Sequence, residues 1–154
     1  MSFLVRPARS LDASATGAIL YQYQQQTDWL PKLYSEAELI SYSGAMVDSG
    51  WVTVIEQQGR VTGFLARDGA EIRALYIAAK VRRKRLGRLL MARAKREARQ
   101  LKLNTFVANE PAQRFYLQQG FREIARGDGS GNEEGLPEIT YQWRVEDERQ
   151  EAAA

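Results

Sequence analysis

The stretch from Glu71 to Leu103 limits what this chain can be more than any other. Ile72 to Ile77 is short, apolar and rich in β-formers, which predicts a strand. Lys80 to Arg85 crowds too much like charge into one segment to be a buried element. From Leu86 onward, apolar residues fall at positions 86, 90, 94, 98 and 101, the spacing of one helix face. The order is therefore strand, cationic turn, helix. A helix that begins at such a turn presents unpaired backbone N–H groups and the positive end of its dipole to any anion placed there. Gly87 has no Cβ, so the backbone can come close to that anion. The arrangement suits phosphate but is not the Walker motif, because no Gly-Lys-Ser/Thr is present.

Charge is concentrated in the same place. The net charge is +3, yet Lys80 to Lys102 holds eleven Lys and Arg against one acid, Glu97. The rest of the chain keeps 11 cations against 18 acids, a net of −7. The basic segment suits a polyanion, and the remainder tolerates a cationic substrate. Histidine and cysteine are both absent. That removes the usual general base near neutral pH, thiolate nucleophiles, disulfides and the commonest metal ligands. Catalysis, if any, falls to carboxylates, tyrosine, lysine, backbone or water, with no metal. No apolar run is long enough to span a membrane, and no secretory signal opens the chain, so a cytoplasmic setting is expected.

The 154 residues, 44% hydrophobic, suit one domain with a sizeable core. Phe3 to Pro7 reads as a first strand. Ser10 or Asp12 can cap a helix carrying Ile19, Leu20 and Tyr23. Gln22 to Gln26 reads as the solvated end of that helix. Thr27-Asp28-Trp29-Leu30-Pro31 breaks it. Ser35-Glu36-Ala37-Glu38 is a capping box for a second helix, which ends at Ser49-Gly50. Trp51–Ile55 and Val61–Ala66 form a hairpin around Gly59. Arg67 to Ala70 turns into the strand that begins at Glu71. After the basic helix, Asn104–Ala108 is a strand, Pro111 opens another helix and Gly120 stops it. Phe121–Ala125 and Glu138–Arg144 are the last strands, separated by a flexible acidic loop over 127–135. Residues 1–145 form a single domain, and 146–154 is a frayed tail or a solvated helix. This element order predicts an α/β (α+β) fold, a mixed, mostly antiparallel sheet of about seven strands with helices on both faces.

Two motifs carry a resemblance. Arg82-Arg83-Lys84-Arg85-Leu86-Gly87, preceded by Leu75-Tyr76-Ile77, fills the frame Gln/Arg-x-x-Gly-x-Gly/Ala. Asn109-Glu110-Pro111-Ala112-Gln113-Arg114-Phe115-Tyr116, followed by Gly120-Phe121, is similar to Asn-x-x-Ala-x-x-Phe-Tyr-x-x-x-Gly-Phe. In this order and spacing they resemble the GNAT superfamily of acetyl-CoA-dependent N-acyltransferases. The resemblance is close from about Glu71 to Trp143 and architectural before that. One residue departs from the pattern: Arg85 stands where the family has its middle glycine. That is compatible with the motif if only the N–H of Arg85 is needed and its side chain points to solvent.

The resemblance implies a cofactor, acetyl-CoA, and residues to hold it. The backbone of Leu75, Tyr76 and Ile77 corresponds to the strand edge that pairs with the pantetheine amides. In the family a bulge splays the neighbouring strands and the cofactor lies in the gap. Arg82, Arg83, Lys84, Arg85, Leu86, Gly87 and Arg88 correspond to the pyrophosphate turn, whose cations can also reach the 3′-phosphate. Asn109 corresponds to a residue near the pantetheine arm, and it also suits the N-cap of the helix at Pro111. Tyr116 corresponds to the family's general acid, or is a core aromatic. Glu71 corresponds to a catalytic and substrate-facing glutamate, or is an ordinary carboxylate at a strand start. Glu110 and water are the other candidate bases. Trp29 lies in the loop that lines the acceptor site in the family, or is a plug over the core. The 127–135 loop, with Tyr141 and Trp143 after it, resembles a branch of uncharacterised members.

The implied reaction moves an acetyl group from acetyl-CoA to a primary amine of a small molecule or peptide, by direct attack in a ternary complex. The amine must attack unprotonated, although a lysine-like amine has a pKa of about 10.4. Two other classes compete: an acyl-CoA sensor without turnover, and a nucleic-acid-binding domain built on the basic helix. Against the last, no helix pair reads as helix-turn-helix and the acidic remainder repels phosphate. No specific nucleic acid and no membrane partner are expected. The oligomeric state stays open between monomer and homodimer.

Overall fold

The computed structural model describes residues 2–81 and 85–153, with side-chain surroundings given as far as Arg149. Three of the expected phosphate-binding residues, Arg82, Arg83 and Lys84, lie outside the described residues. The described strands are β1 Leu4–Pro7, β2 Val52–Gln57, β3 Arg60–Asp68, β4 Glu71–Ile77, β5 Gln100–Phe106, β6 Arg122–Gly127 and β7 Glu138–Arg144. The described helices are α1 Ala13–Gln26, α2 Glu36–Asp48, α3 Leu86–Glu97, α4 Glu110–Gln118 and α5 Val145–Ala153, with short 3-10 turns at Ser10–Asp12 and Ala79–Val81. The strands hydrogen-bond in the order β1-β2-β3-β4-β5-β7-β6. The pairs β1–β2, β2–β3, β5–β7 and β6–β7 are antiparallel, and β4–β5 is parallel at Glu71↔Lys102. The chain thus adopts the expected mixed, mostly antiparallel seven-stranded α/β fold. It forms two compact units, Met1–Asp68 with Arg73–Ala94, and Gly69–Ile72 with Lys95–Ala154.

In the first unit, residues of period two meet residues of period 3.6. Val52 and Val54 of β2, Phe64 and Ala66 of β3 and Ala74 of β4 share one buried cluster with Ile19, Leu20, Leu39, Met46 and Val47 of α1 and α2. The β2–β3 hairpin turns through Gln58 and Gly59, both left-handed at φ 52 and 77, the twist that a two-residue hairpin loop requires. The capping box that starts α2 is present: the Ser35 hydroxyl accepts the Glu38 N–H at 3.1 Å, and the Glu38 carboxylate accepts the Ser35 N–H at 3.0 Å. The start of α1 differs from expectation. Neither Ser10 nor Asp12 caps it with a side chain. Asp12 accepts instead from the Arg9 N–H at 2.7 Å and from both terminal nitrogens of Arg6, while Arg6 Nε donates to Glu56 at 2.9 Å. A largely buried guanidinium between two carboxylates outcompetes a helix cap, and it holds the Asp12 carboxyl below its ordinary range.

The second unit corrects one sequence reading. α3 ends at Glu97, and Leu101 is a strand residue. Leu101 fits the 3.6 spacing from Leu86, yet it also begins the alternation Leu101, Leu103, Thr105, which is buried while Gln100, Lys102 and Asn104 are exposed. Pairing with β7 decides between the two periods: Leu101, Leu103 and Thr105 stand opposite Trp143, Tyr141 and Ile139. So β5 starts at Gln100, not Asn104. The 127–135 loop, expected to be flexible, has internal hydrogen bonds. Asn132 donates to Leu136 O at 2.9 Å and accepts from the Leu136 N–H at 3.2 Å, and Asp128 accepts from the Ser130 N–H at 2.9 Å. After β7 the chain continues as α5, whose Glu146, Asp147 and Glu148 form ion pairs with Arg99, Arg122 and Lys95.

Candidate active site

The expected site residues divide between the two units. In the first unit, β4 leads through the Ala79–Val81 turn toward α3. Its end is held against β3: the Ala78 N–H donates to Thr62 O at 2.8 Å. Gly63 makes the close approach possible, since a Cβ there would lie 2.5 Å from Ile77 Cδ1 and 3.1 Å from Tyr76 O. On the other side of the strand, the Tyr76 ring packs edge-on against Tyr23 of α1 with centroids 5.1 Å apart, and lies 6.0 Å from Phe64. Leu75, Tyr76 and Ile77 are each half-buried, so the expected pantetheine strand is fixed by packing on both faces.

The start of α3 is built from the departure residue. Arg85 has φ 63, the left-handed conformation that glycine adopts most easily. Its carbonyl accepts the Leu89 N–H at 3.3 Å and so begins the helix. Leu86, Leu90, Met91 and Ala94 are buried to within 2% exposure and anchor the helix, while Arg85 and Arg88 are exposed. The arginine side chain carries donors and no acceptor, so it cannot itself cap the first N–H groups of α3.

The loop between α1 and α2 carries Trp29, which is half-buried. Thr27 closes the end of α1 by donating its hydroxyl to Tyr23 O at 2.6 Å. Gln24, read from sequence as part of a solvated helix end, is 4% exposed and bonds to both backbone groups of Tyr34. The signal was present: Thr16, Leu20 and Gln24 recur every four residues and all are buried. Gly63 was also missed, and a glycine inside an apolar strand is the sequence sign of a close backbone approach.

The second unit holds Glu71, Asn109, Glu110 and Tyr116. Glu71 is exposed at the first residue of β4, opposite Lys102. Asn109 caps α4 as expected, its Oδ1 accepting the Ala112 N–H at 3.2 Å, and Glu110 and Pro111 follow in the first turn. Tyr116 is 8% exposed, so the body of its ring belongs to the core. It packs edge-on against Phe115 and Phe121, at 5.2 and 5.5 Å, and tilted against Tyr141 at 6.2 Å. Burial pushes the Tyr141 hydroxyl above its usual value, with the charge of Glu123 adding to the shift, so this neighbour stays protonated at neutral pH. Lys95 ties the surrounding elements together: its ammonium donates to Gln119 O at 2.5 Å, pairs with Glu148 at 2.9 Å and lies 5.2 Å from the centroid of Trp143.

Comparison with known proteins bears on both units. Residues 16–121 match the family model of the acetyltransferase (GNAT) family. A curated relative, the peptidyl-lysine N-acetyltransferase YiaC of Escherichia coli, is 33% identical over 72 residues, which are 46% of this chain and 49% of that protein. The match thus spans about half the length of the relative. Among solved structures, the apo form of YjaB from Escherichia coli superposes with a TM-score of 0.78 at 25% identity, covering 93% of this chain and 98% of that one. The yncA protein of Salmonella typhimurium, solved with its cofactor acetyl-CoA, gives a TM-score of 0.72 at 21% identity, with 94% and 95% covered. Because the family model covers more than half of the sequence, both motif-bearing segments included, the chain belongs to the GNAT acetyltransferase family.

Proposed function

We propose that this protein is an N-acetyltransferase that moves an acetyl group from acetyl-CoA to a primary amine of a small molecule or peptide, in the cytoplasm. The observation that carries the reading is the start of α3. A left-handed Arg85, whose own side chain has no acceptor, opens the helix in the frame of the matched family. In this reading the N–H groups of Leu86, Gly87 and Arg88 meet the pyrophosphate. The cations of residues 82–88 meet the 3′-phosphate. The β4 backbone from Leu75 to Ile77 pairs with the pantetheine amides, Asn109 borders the arm, and Trp29 with its loop borders the acceptor. The resemblance to a peptidyl-lysine acetyltransferase favours a peptide amine as acceptor.

Glu71, directly or through water, takes the proton that the attacking nitrogen must lose, with Glu110 as the other candidate base. As the nitrogen attacks the thioester carbonyl, the new C–N bond forms and the C–S bond breaks. The bonding pair leaves on sulfur, and the Tyr116 hydroxyl supplies the proton that converts the thiolate to the free thiol of CoA.

Thermal unfolding with CoA, acetyl-CoA and dephospho-CoA tests the reading. A ligand that binds only the folded state at 100 times its Kd stabilises by about 2.7 kcal/mol. CoA and acetyl-CoA should raise the melting temperature, and dephospho-CoA should raise it less. No shift with either thioester or thiol sinks the reading, and equal shifts with and without the 3′-phosphate remove the role of the cations. Release of free thiol with a lysine-containing peptide then separates an enzyme from a sensor.

A further inference from the structure

Gln24 is a buried polar side chain that the chemistry above does not use. Its carboxamide grips a single backbone unit ten residues away: Nε2 donates to Tyr34 O at 2.8 Å, and Oε1 accepts the Tyr34 N–H at 3.2 Å. The side chain thus imitates one bridge of a β-ladder, and the planar amide fixes the direction as well as the position of the segment it holds. Tyr34 itself packs against the first unit's core cluster, and Ser35, the next residue, is locked by the α2 capping box. The other end of the loop is fixed by the Thr27 hydroxyl on Tyr23 O and by the Leu30 N–H on Thr27 O at 3.1 Å. Between these anchors lie Trp29, half-buried, and Leu33, 45% exposed.

We infer that Gln24 is a positioning residue for the amine acceptor. By clamping Tyr34 it sets the path of the loop that carries Trp29 and Leu33, and thereby the affinity for the acceptor but not for acetyl-CoA. The inference rests on the proposed N-acetyltransferase reading, in which that loop borders the acceptor. Packing alone does not call for glutamine here. An apolar residue at this position of α1 would fill the volume without the cost of burying an amide. What glutamine adds is direction, and it adds it to the loop: without the amide, the N–H and C=O of Tyr34 lose their partner and the loop its fixed exit.

Steady-state kinetics test the inference, with acetyl-CoA and a lysine-containing peptide each varied against a saturating level of the other. Gln24→Leu removes both hydrogen bonds to Tyr34, along with the one that Nε2 donates to Gln25 Oε1 at 3.3 Å. Gln24→Glu keeps the acceptor for the Tyr34 N–H and loses the donor to Tyr34 O. The KM for the peptide should rise about tenfold or more in Gln24→Leu, as displacements on the ångström scale do to bound geometry. Gln24→Glu should fall between it and wild type. The KM for acetyl-CoA should stay within about twofold. A peptide KM unchanged in both variants overturns the inference, and so does an acetyl-CoA KM that rises in step with it. Loss of the CoA-induced thermal shift in both variants also overturns it, since the amide would then support the unit as a whole. Wild-type protein that binds CoA but acetylates no amine removes the N-acetyltransferase reading and this inference with it. Failure of the inference alone leaves wild-type turnover intact.

Discussion

The starts of α3 and α4 are opposites. α4 is closed by its own side chain, Asn109 accepting the Ala112 N–H, with Pro111 in the first turn where a missing N–H costs nothing. α3 begins at an arginine in the left-handed region, a residue with no side-chain acceptor to give and in a conformation it does not favour. One start is capped by a side chain; the other, in the proposed reading, is where the pyrophosphate binds. The bodies of the helices reverse the pattern. The buried face of α3 is entirely apolar, Leu86, Leu90, Met91 and Ala94, whereas α4 buries the phenol of Tyr116. In the proposed reaction α3 therefore acts through backbone at its start, and α4 through a side chain two turns in.

Two substitutions should pull these roles apart. Tyr116→Phe removes a hydroxyl and keeps the ring that packs on Phe121 and Tyr141, so turnover should fall by about 10²–10⁴-fold, the usual worth of a general acid, while CoA still raises the melting temperature. Turnover near wild type would make Tyr116 a core aromatic and nothing more. Gly87→Val should do the reverse. A branched Cβ in the first turn of α3 blocks the approach of pyrophosphate, and the CoA affinity measured by calorimetry should fall about tenfold or more, roughly 1.4 kcal/mol. If Gly87→Val binds CoA like wild type, the anion sits elsewhere and the contrast between the two starts loses its meaning.

The sequence made this contrast half legible. Asn109 and Pro111 declare their helix start without help, because capping is local chemistry written in adjacent residues. The α2 capping box at Ser35 and Glu38 is legible for the same reason. Arg85 does not declare itself: its motif slot calls for glycine, and only the backbone angle shows that this arginine takes the left-handed conformation glycine favours. Features that depend on distant partners were lost in the same way. Leu101 satisfies the helical spacing until Trp143 is placed opposite it. Asp12 is a good N-cap until Arg6 takes its carboxylate. Gln24 looks solvated until Tyr34 comes within hydrogen-bond reach. The seven strands, by contrast, follow from short apolar runs between turn residues, and they survive errors of several residues at their ends.

A smaller effect tests whether α4 is closed to ligand. Asn109→Ala removes the side-chain cap and should cost about 1 kcal/mol of stability. Thermal or chemical denaturation reads that loss directly. The CoA affinity should change less than it does in Gly87→Val. A loss of affinity as large as that of Gly87→Val would mean that both helix starts bind the cofactor, and the distinction between them would fail.

The last test asks what the left-handed arginine costs. Outside glycine the conformation is unfavourable by about 1–2 kcal/mol, because Cβ crowds the following carbonyl. Arg85→Gly removes that crowding, but it also frees the unfolded chain, which returns about 0.4–1 kcal/mol. At mid-range values the difference should still favour the variant by about 0.8 kcal/mol, a rise in melting temperature of about 2–3 °C for a chain of this size. The carbonyl that accepts the Leu89 N–H is unchanged, so α3 should keep its start and CoA should still bind. The variant also loses an exposed cation. If Arg85 alone contacted the 3′-phosphate, the preference for CoA over dephospho-CoA would vanish. If the neighbouring cations share that contact, the preference should persist at reduced size, which is the expected result. A melting temperature that falls would show that the arginine side chain stabilises its own strained backbone. The start of α3 would then be self-supporting after all, and no more open to an anion than the start of α4.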